Sequence, residues 1–164
     1  MQPNTDRRPS QLRLKKALVA GLALAGLSAA GVARADLTPW KDYQMSDSVW
    51  RITTVKVDAG MGDAYLEGLR KTWFAAMEVQ KKLGYIEDYH CYASDLPGSG
   101  DFNFVLVVKF KNTADLGPSK AKYDAFMKEW GEAHQKETKD IAQKTYPTIR
   151  KITGQYDLRE VTMK

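Results

Sequence analysis

A length of 164 residues allows one ordinary domain and little more. The formal charge of +5 is unevenly placed: six Lys/Arg and one Asp fall in the first 35 residues, which leaves 19 charges of each sign beyond them. The basic stripe that a nucleic-acid binder needs to neutralise phosphates is therefore not expected. A single Cys excludes an internal disulfide, and two His beside it match no standard zinc or copper spacing.

Taken in chain order, the first segment reads as an export signal. Arg7, Arg8, Arg13, Lys15 and Lys16 precede an apolar stretch from Ala17 to Gly31, and Ala33-Arg34-Ala35 supplies the small-x-small pattern of a cleavage site. The apolar run is short for a bilayer span of about 20 residues, and Ser28, Gly31 and Arg34 interrupt it. Pro9, Ser10 and Gln11 do not continue a twin-arginine motif, so Sec-type export with cleavage after Ala35 is expected. A retained anchor is the alternative. The mature product is expected in the periplasm or secreted, free of the membrane, and long enough to bury roughly two-thirds of its unfolded surface.

Residues 36–48 read as an irregular arm, and 49–164 as the domain. Trp50 to Val57 is rich in strand formers and is ended by Asp58-Ala59-Gly60. From Met61, the residues Tyr65, Leu69, Trp73 and Met77 line one helical face, and Gly84 after Leu83 suits the residue beyond a helix end. Tyr85 to Ser94 is the second strand, and the turn-rich 95–101 closes a hairpin to a third, Phe102 to Phe110. The apolar content on both sides of that third strand predicts a central position. A second helix is expected from Ser119 past Ala133 toward Ile141, broken at Pro147, with a short turn over 148–152. A last strand, Gln155 to Met163, follows Gly154. The order βαββαβ predicts an α+β ferredoxin-like fold: a four-stranded antiparallel sheet with both helices on one face.

Such a sheet leaves one face bare. With Tyr92 opposite Asn103, the residues Asp88, His90, Tyr92, Asn103, Val105 and Val107 share that face. Tyr89, Cys91, Ala93, Phe104, Leu106 and Val108 then turn to the helices, which makes burial the expectation for the Cys91 thiol. A bare face carrying Val105 and Val107 would be an apolar patch in a monomer, and packing it on a second copy removes it.

The segments Lys56-Val57-Asp58-Ala59-Gly60, Leu83-Gly84-Tyr85-Ile86 and Tyr156-Asp157-Leu158-Arg159-Glu160-Val161, in this element order, look like the dimeric α+β barrel superfamily. The chain is similar there to its NIPSNAP-like and antibiotic-biosynthesis-monooxygenase-like members, over about residues 49–163. The resemblance implies a homodimer with a cavity over the sheet, used by relatives for cofactor-independent oxygenation of aromatic compounds, for haem, or for no known chemistry. It transfers no catalytic residue.

His90 with Asp88 two residues away is the strongest chemical candidate. Asp88 could fix the imidazole for acid–base work, with Tyr92 or Asn103 orienting a ligand, or His90 could supply an axial haem ligand. The bland alternative is that these groups share hydrogen bonds at a dimer interface. His134 reads as a solvated helix residue, and Tyr65, Trp73, Phe126 and Trp130 as core. Trp40 and Trp50 could line or lid the cavity. The expectation is a small apolar or planar aromatic ligand, haem being the first to test. Against it stands an interaction protein whose sheet face is filled by its partner.

Overall fold

The computed structural model describes residues 36–164. The expected export segment lies outside them. Among the described residues there are six strands: β1 (Tyr43–Met45), β2 (Val49–Val57), β3 (Asp88–Ala93), β4 (Phe104–Phe110), β5 (Arg150–Leu158) and β6 (Val161–Met163). β2 to β5 form one antiparallel sheet in the order β3-β4-β2-β5. Numbered by their place in the βαββαβ unit, these strands run 2-3-1-4, which is the ferredoxin-like arrangement. β4 is internal, as its two-sided apolar content predicts.

Between β2 and β3 run α1 (Gly62–Leu69), a π turn (Arg70–Phe74) and α2 (Ala75–Lys82) as one continuous helical rod. The π turn has a reason in the sequence. Tyr65, Leu69, Trp73 and Met77 recur every four residues, whereas an α-helix repeats every 3.6, so the stripe would drift by about 40° at each step. A wider turn in the middle absorbs that drift. Tyr65, Leu69 and Met77 are all buried, at 0, 2 and 8 % exposure, and Trp73 is half-buried. The rod ends at Leu83, followed by Gly84 at φ +70°.

The second helical rod comprises α3 (Lys120–Asp140), a π turn (Ile141–Thr145) and α4 (Tyr146–Ile149). The Ser119 hydroxyl caps its start by accepting from the Lys122 amide. Gly131, at φ 75° and ψ 161°, breaks α3 into two segments. Pro147 does not end the rod as the sequence suggested. It stands in the first turn of α4, directly after the π turn, where the helical hydrogen-bond pattern changes.

Both rods cover the same face. Tyr65 and Leu69 of α1 and Tyr146 and Ile149 of α4 pack on Val55 and Val57 of β2 and on Phe104 and Leu106 of β4. Tyr65 meets Phe104 and Tyr146 edge-on at 5.2 and 5.6 Å, a favoured aromatic geometry. Met77, Ile86 and Val108 make a second cluster. Cys91 is half-buried against the first, and burial raises its thiol pKa, which makes the sulfur a poor nucleophile.

Four further expectations need correction. The arm is not irregular throughout, because Tyr43–Met45 pairs with Val161–Met163 as a separate two-stranded ribbon. The second strand is shorter than read: Tyr85, Ile86 and Glu87 stand outside β3. No helical turn extends to Ile152; β5 starts at Arg150 and runs through Gly154. A bulge between Thr54 and Val55 of β2 leaves Thr153 unpaired and keeps the glycine in the ladder. Finally, the hairpin pairs Tyr92 with Val105 and His90 with Val107, two residues from the expected register. A two-residue shift preserves the side-chain parity, so each strand shows the faces that were expected.

Candidate functional site

The face opposite the helices can be written as three rows running across the sheet. The first row is Tyr92, Val105, Thr54 and Gly154; the second is His90, Val107, Ile52 and Tyr156; the third is Asp88, Lys109, Trp50 and Leu158. Five of the six residues singled out in the sequence (Asp88, His90, Tyr92, Val105 and Val107) are thereby brought together.

Asn103 stands apart. It precedes β4, is 7 % exposed, and is engaged at both ends of its amide: Oδ1 accepts from the Val57 N–H at 2.8 Å and Nδ2 donates to the Val57 carbonyl at 2.8 Å. It ties the end of β2 to the start of β4. Val107 also differs from expectation. Flanked by His90 and Ile52, it is 8 % exposed in a single chain, so it is not the source of an exposed patch. The apolar surface comes instead from Tyr92, Tyr156 and Leu158, about half exposed each, with Trp50, Ile52 and Val105 half-buried beside them.

The polar groups collect at the β3 edge. His90 Nε2 lies 3.2 Å from Asp88 Oδ2, while Asp88 Oδ1 receives Lys81 Nζ at 3.0 Å and the Tyr89 amide at 3.0 Å. The hydrogen bond from Lys81, followed by that from the Tyr89 amide, holds the Asp88 carboxyl below its ordinary pKa. Asp88 thus stays anionic and can orient the imidazole, as the spacing suggested. The His90 and Tyr92 rings are 5.9 Å apart. Lys109 pairs with Glu87 at 3.1 Å and lies 5.4 Å from the Trp50 ring centroid, so its charge is answered from two sides. On the far side of β3, burial and then the hydrogen bond to Glu78 push the Tyr89 phenol up to about 12.

Residues Ile52, Thr54, Tyr156 and Leu158 were not identified from the sequence as part of this face. The i, i+2 spacings Trp50-Ile52-Thr54 and Gly154-Tyr156-Leu158 were the available signal. Gly154 hid the second by resembling a strand boundary.

The face is open in one chain. A cleft of about 260 Å³ lies elsewhere, lined by Tyr85, Phe110, Tyr123 and Phe126 with Lys122 and Asp115. It opens widely to solvent, and its cation is neutralised by Asp115 at 2.8 Å. The cleft holds no pair of groups suited to proton transfer, whereas the sheet face has His90 and Asp88, so the sheet face is the stronger candidate. His134 is exposed, with Nδ1 2.9 Å from the Trp130 carbonyl. Among the described residues, no group of three or more His, Cys, Asp or Glu could hold a metal ion, and no helix is long and apolar enough to cross a membrane.

No family model matches the sequence, and no curated protein matches it either. Solved structures match the chain at low identity. HapK from Hahella chejuensis is 12 % identical, with 68 % of this chain and 91 % of that one covered at a TM-score of 0.42. A dimeric ferredoxin-like protein of unknown function from Bacteroides fragilis is 16 % identical, with coverage of 73 and 99 % and a TM-score of 0.40. A Shewanella loihica protein provisionally described as a monooxygenase is 16 % identical, with coverage of 73 and 95 % and a TM-score of 0.36. The ferredoxin-like fold of the present chain rests on its own strand order.

Proposed function

We propose that this chain is an exported homodimer that packs its open sheet face against a second copy and holds a small, largely apolar or planar aromatic molecule between the two sheets. The observation that carries the reading is the composition of the open face. Half-exposed Tyr92 stands beside an imidazole already oriented by a carboxylate at one edge of the face, and half-exposed Tyr156 and Leu158 line the opposite edge strand. A surface that is apolar with a few convergent polar groups is what a ligand site needs once a second wall closes it.

In this reading His90 is the proton acceptor, and Asp88 stabilises the imidazolium that forms. Cofactor-independent oxygenation would begin by removing a proton from an acidic position of the bound aromatic, with dioxygen as the second substrate. Haem fits less well as a coordinated group. The His90 nitrogen facing Asp88 is engaged at 3.2 Å, and an iron would have to displace that contact or take the other nitrogen. Haemin is nevertheless a useful planar probe, because its absorbance reports both binding and coordination.

Sedimentation should give twice the chain mass, and haemin or anilinonaphthalenesulfonate should bind to that dimer. His90→Ala should weaken binding or remove the haemin band shift while leaving the dimer intact. A monomer at all concentrations would sink the closed-site reading. A dimer that binds neither probe would favour the rival, an interaction protein whose faces fill one another with side chains.

A further inference from the structure

We propose that Gly154 is a positioning residue for the sheet-face site: by having no side chain it lets the Tyr156 ring lie flat on the sheet, and so sets how thick a planar aromatic ligand the face can accept. The inference rests on the ligand-binding reading above and adds to it a residue that controls depth.

Glycine within a strand weakens it and calls for a reason. The backbone supplies none, since Gly154 is absent from the residues with positive φ. The reason is a close approach. A Cβ at 154 would lie 2.5 Å from the Tyr156 hydroxyl oxygen, 2.7 Å from Cε2 and 2.8 Å from Cζ. The ring of Tyr156 therefore folds back along its own strand onto the glycine, two residues away on the same face. The site is further defined by the neighbouring bulge, where the unpaired Thr153 donates to Thr54 Oγ1 at 2.9 Å.

Tyr156 is 53 % exposed, so burial does not pin it. With alanine at 154 the flat position is closed to the ring. Its remaining rotamers stand it away from the sheet, into the space that a ligand and the second sheet would occupy. The ring then fills the site instead of flooring it.

The test uses the purified full domain with haemin and anilinonaphthalenesulfonate as probes. Gly154→Ala should weaken both by about tenfold, the effect of forcing a ring into occupied space. Gly154→Ala with Tyr156→Ala should restore binding to the level of Tyr156→Ala alone. A glycine required for its backbone alone would not be rescued by removing the Tyr156 ring. A second readout needs no ligand: the Gly154 Hα protons should show nuclear Overhauser contacts to the Tyr156 ring protons next to the hydroxyl. Equal binding by wild type and Gly154→Ala, a double variant that stays weak, or absence of those contacts would each overturn the proposal. Absence of binding by the wild type would overturn the ligand reading and, with it, the role in depth. The ring contacts tell that failure from one confined to Gly154.

Discussion

Single residues divide into those that hold the fold and those free to act on something else. Asn103 belongs to the first group. Both ends of its amide serve Val57, and Asn103→Ala leaves a buried N–H and a buried carbonyl without those partners. The expected cost is about 1–3 kcal/mol in urea unfolding, with probe binding unchanged in the protein that remains folded. Asp157 meets Arg51 through two hydrogen bonds, of 2.8 and 3.0 Å, but both side chains are about 40 % exposed. Asp157→Asn should therefore cost only about 0.5–1 kcal/mol in the same measurement. His90 and Tyr92 make no contact that the fold depends on, which is why they remain candidates for chemistry. The faces of β3 and β4 could be read from alternation alone, since Cys91, Leu106 and Val108 alternate cleanly with His90, Val105 and Val107. The role of Asn103 could not. A pattern shows which side a residue points to, but not which distant backbone group claims its amide.

At the scale of elements, legibility followed length. The helical rods of more than twenty residues announce themselves through repeated apolar spacing, whereas the three residues of β1 show no period at all. The π turn of the first rod lies between these cases: the four-residue spacing is visible, but spacing alone does not show where the wider turn is placed. Deleting one exposed residue of the turn, such as Arg70, should convert it to a regular α-helical turn and leave Met77 facing Val108 and Ile86, because seven residues then separate it from Leu69, about 20° short of two full turns. Cooperative thermal unfolding, followed by circular dichroism, is the expected result, and a non-cooperative melt would count against this account of the turn. Gly131 makes a comparable demand. Its φ of 75° with ψ of 161° belongs to a region that only glycine occupies readily. Gly131→Ala is expected to cost about 1–3 kcal/mol, or to straighten α3 and disturb the His134–Trp130 contact. A denaturant midpoint shifted to lower concentration would register the first outcome, and a displaced His134 NMR signal the second.

The molecule carries its charge pairs on the outside and the phenols of Tyr65 and Tyr146 within, and the two sets limit its stability at opposite ends of the pH scale. Asp157, Asp88, Glu129, Asp140 and Glu67 are held below their ordinary values, first by hydrogen bonds from Arg51, Lys81, Lys82, Lys144 and Arg70 in turn. Their contribution is present above the unfolded values of 3.8 and 4.5 and is lost as pH falls through the lowered ones. Tyr65, Tyr89 and Tyr146 are raised, chiefly by burial. What they contribute is intact below the unfolded value of 10 and fades as pH rises through the folded values. A melting temperature that is level between about pH 5 and 8 and drops on both sides is expected from scanning calorimetry. The ribbon of β1 and β6 bears on how the molecule is completed. Tyr43 lies beside Met163, and the Lys164 amide donates to the Asp42 carbonyl. During synthesis β1 has nothing to grip until β6 has emerged, so this clasp closes only after the strands of the central sheet are available. A chain cut short before Val161 would keep its central sheet yet leave the stretch around Lys41 dangling, where trypsin would find it first.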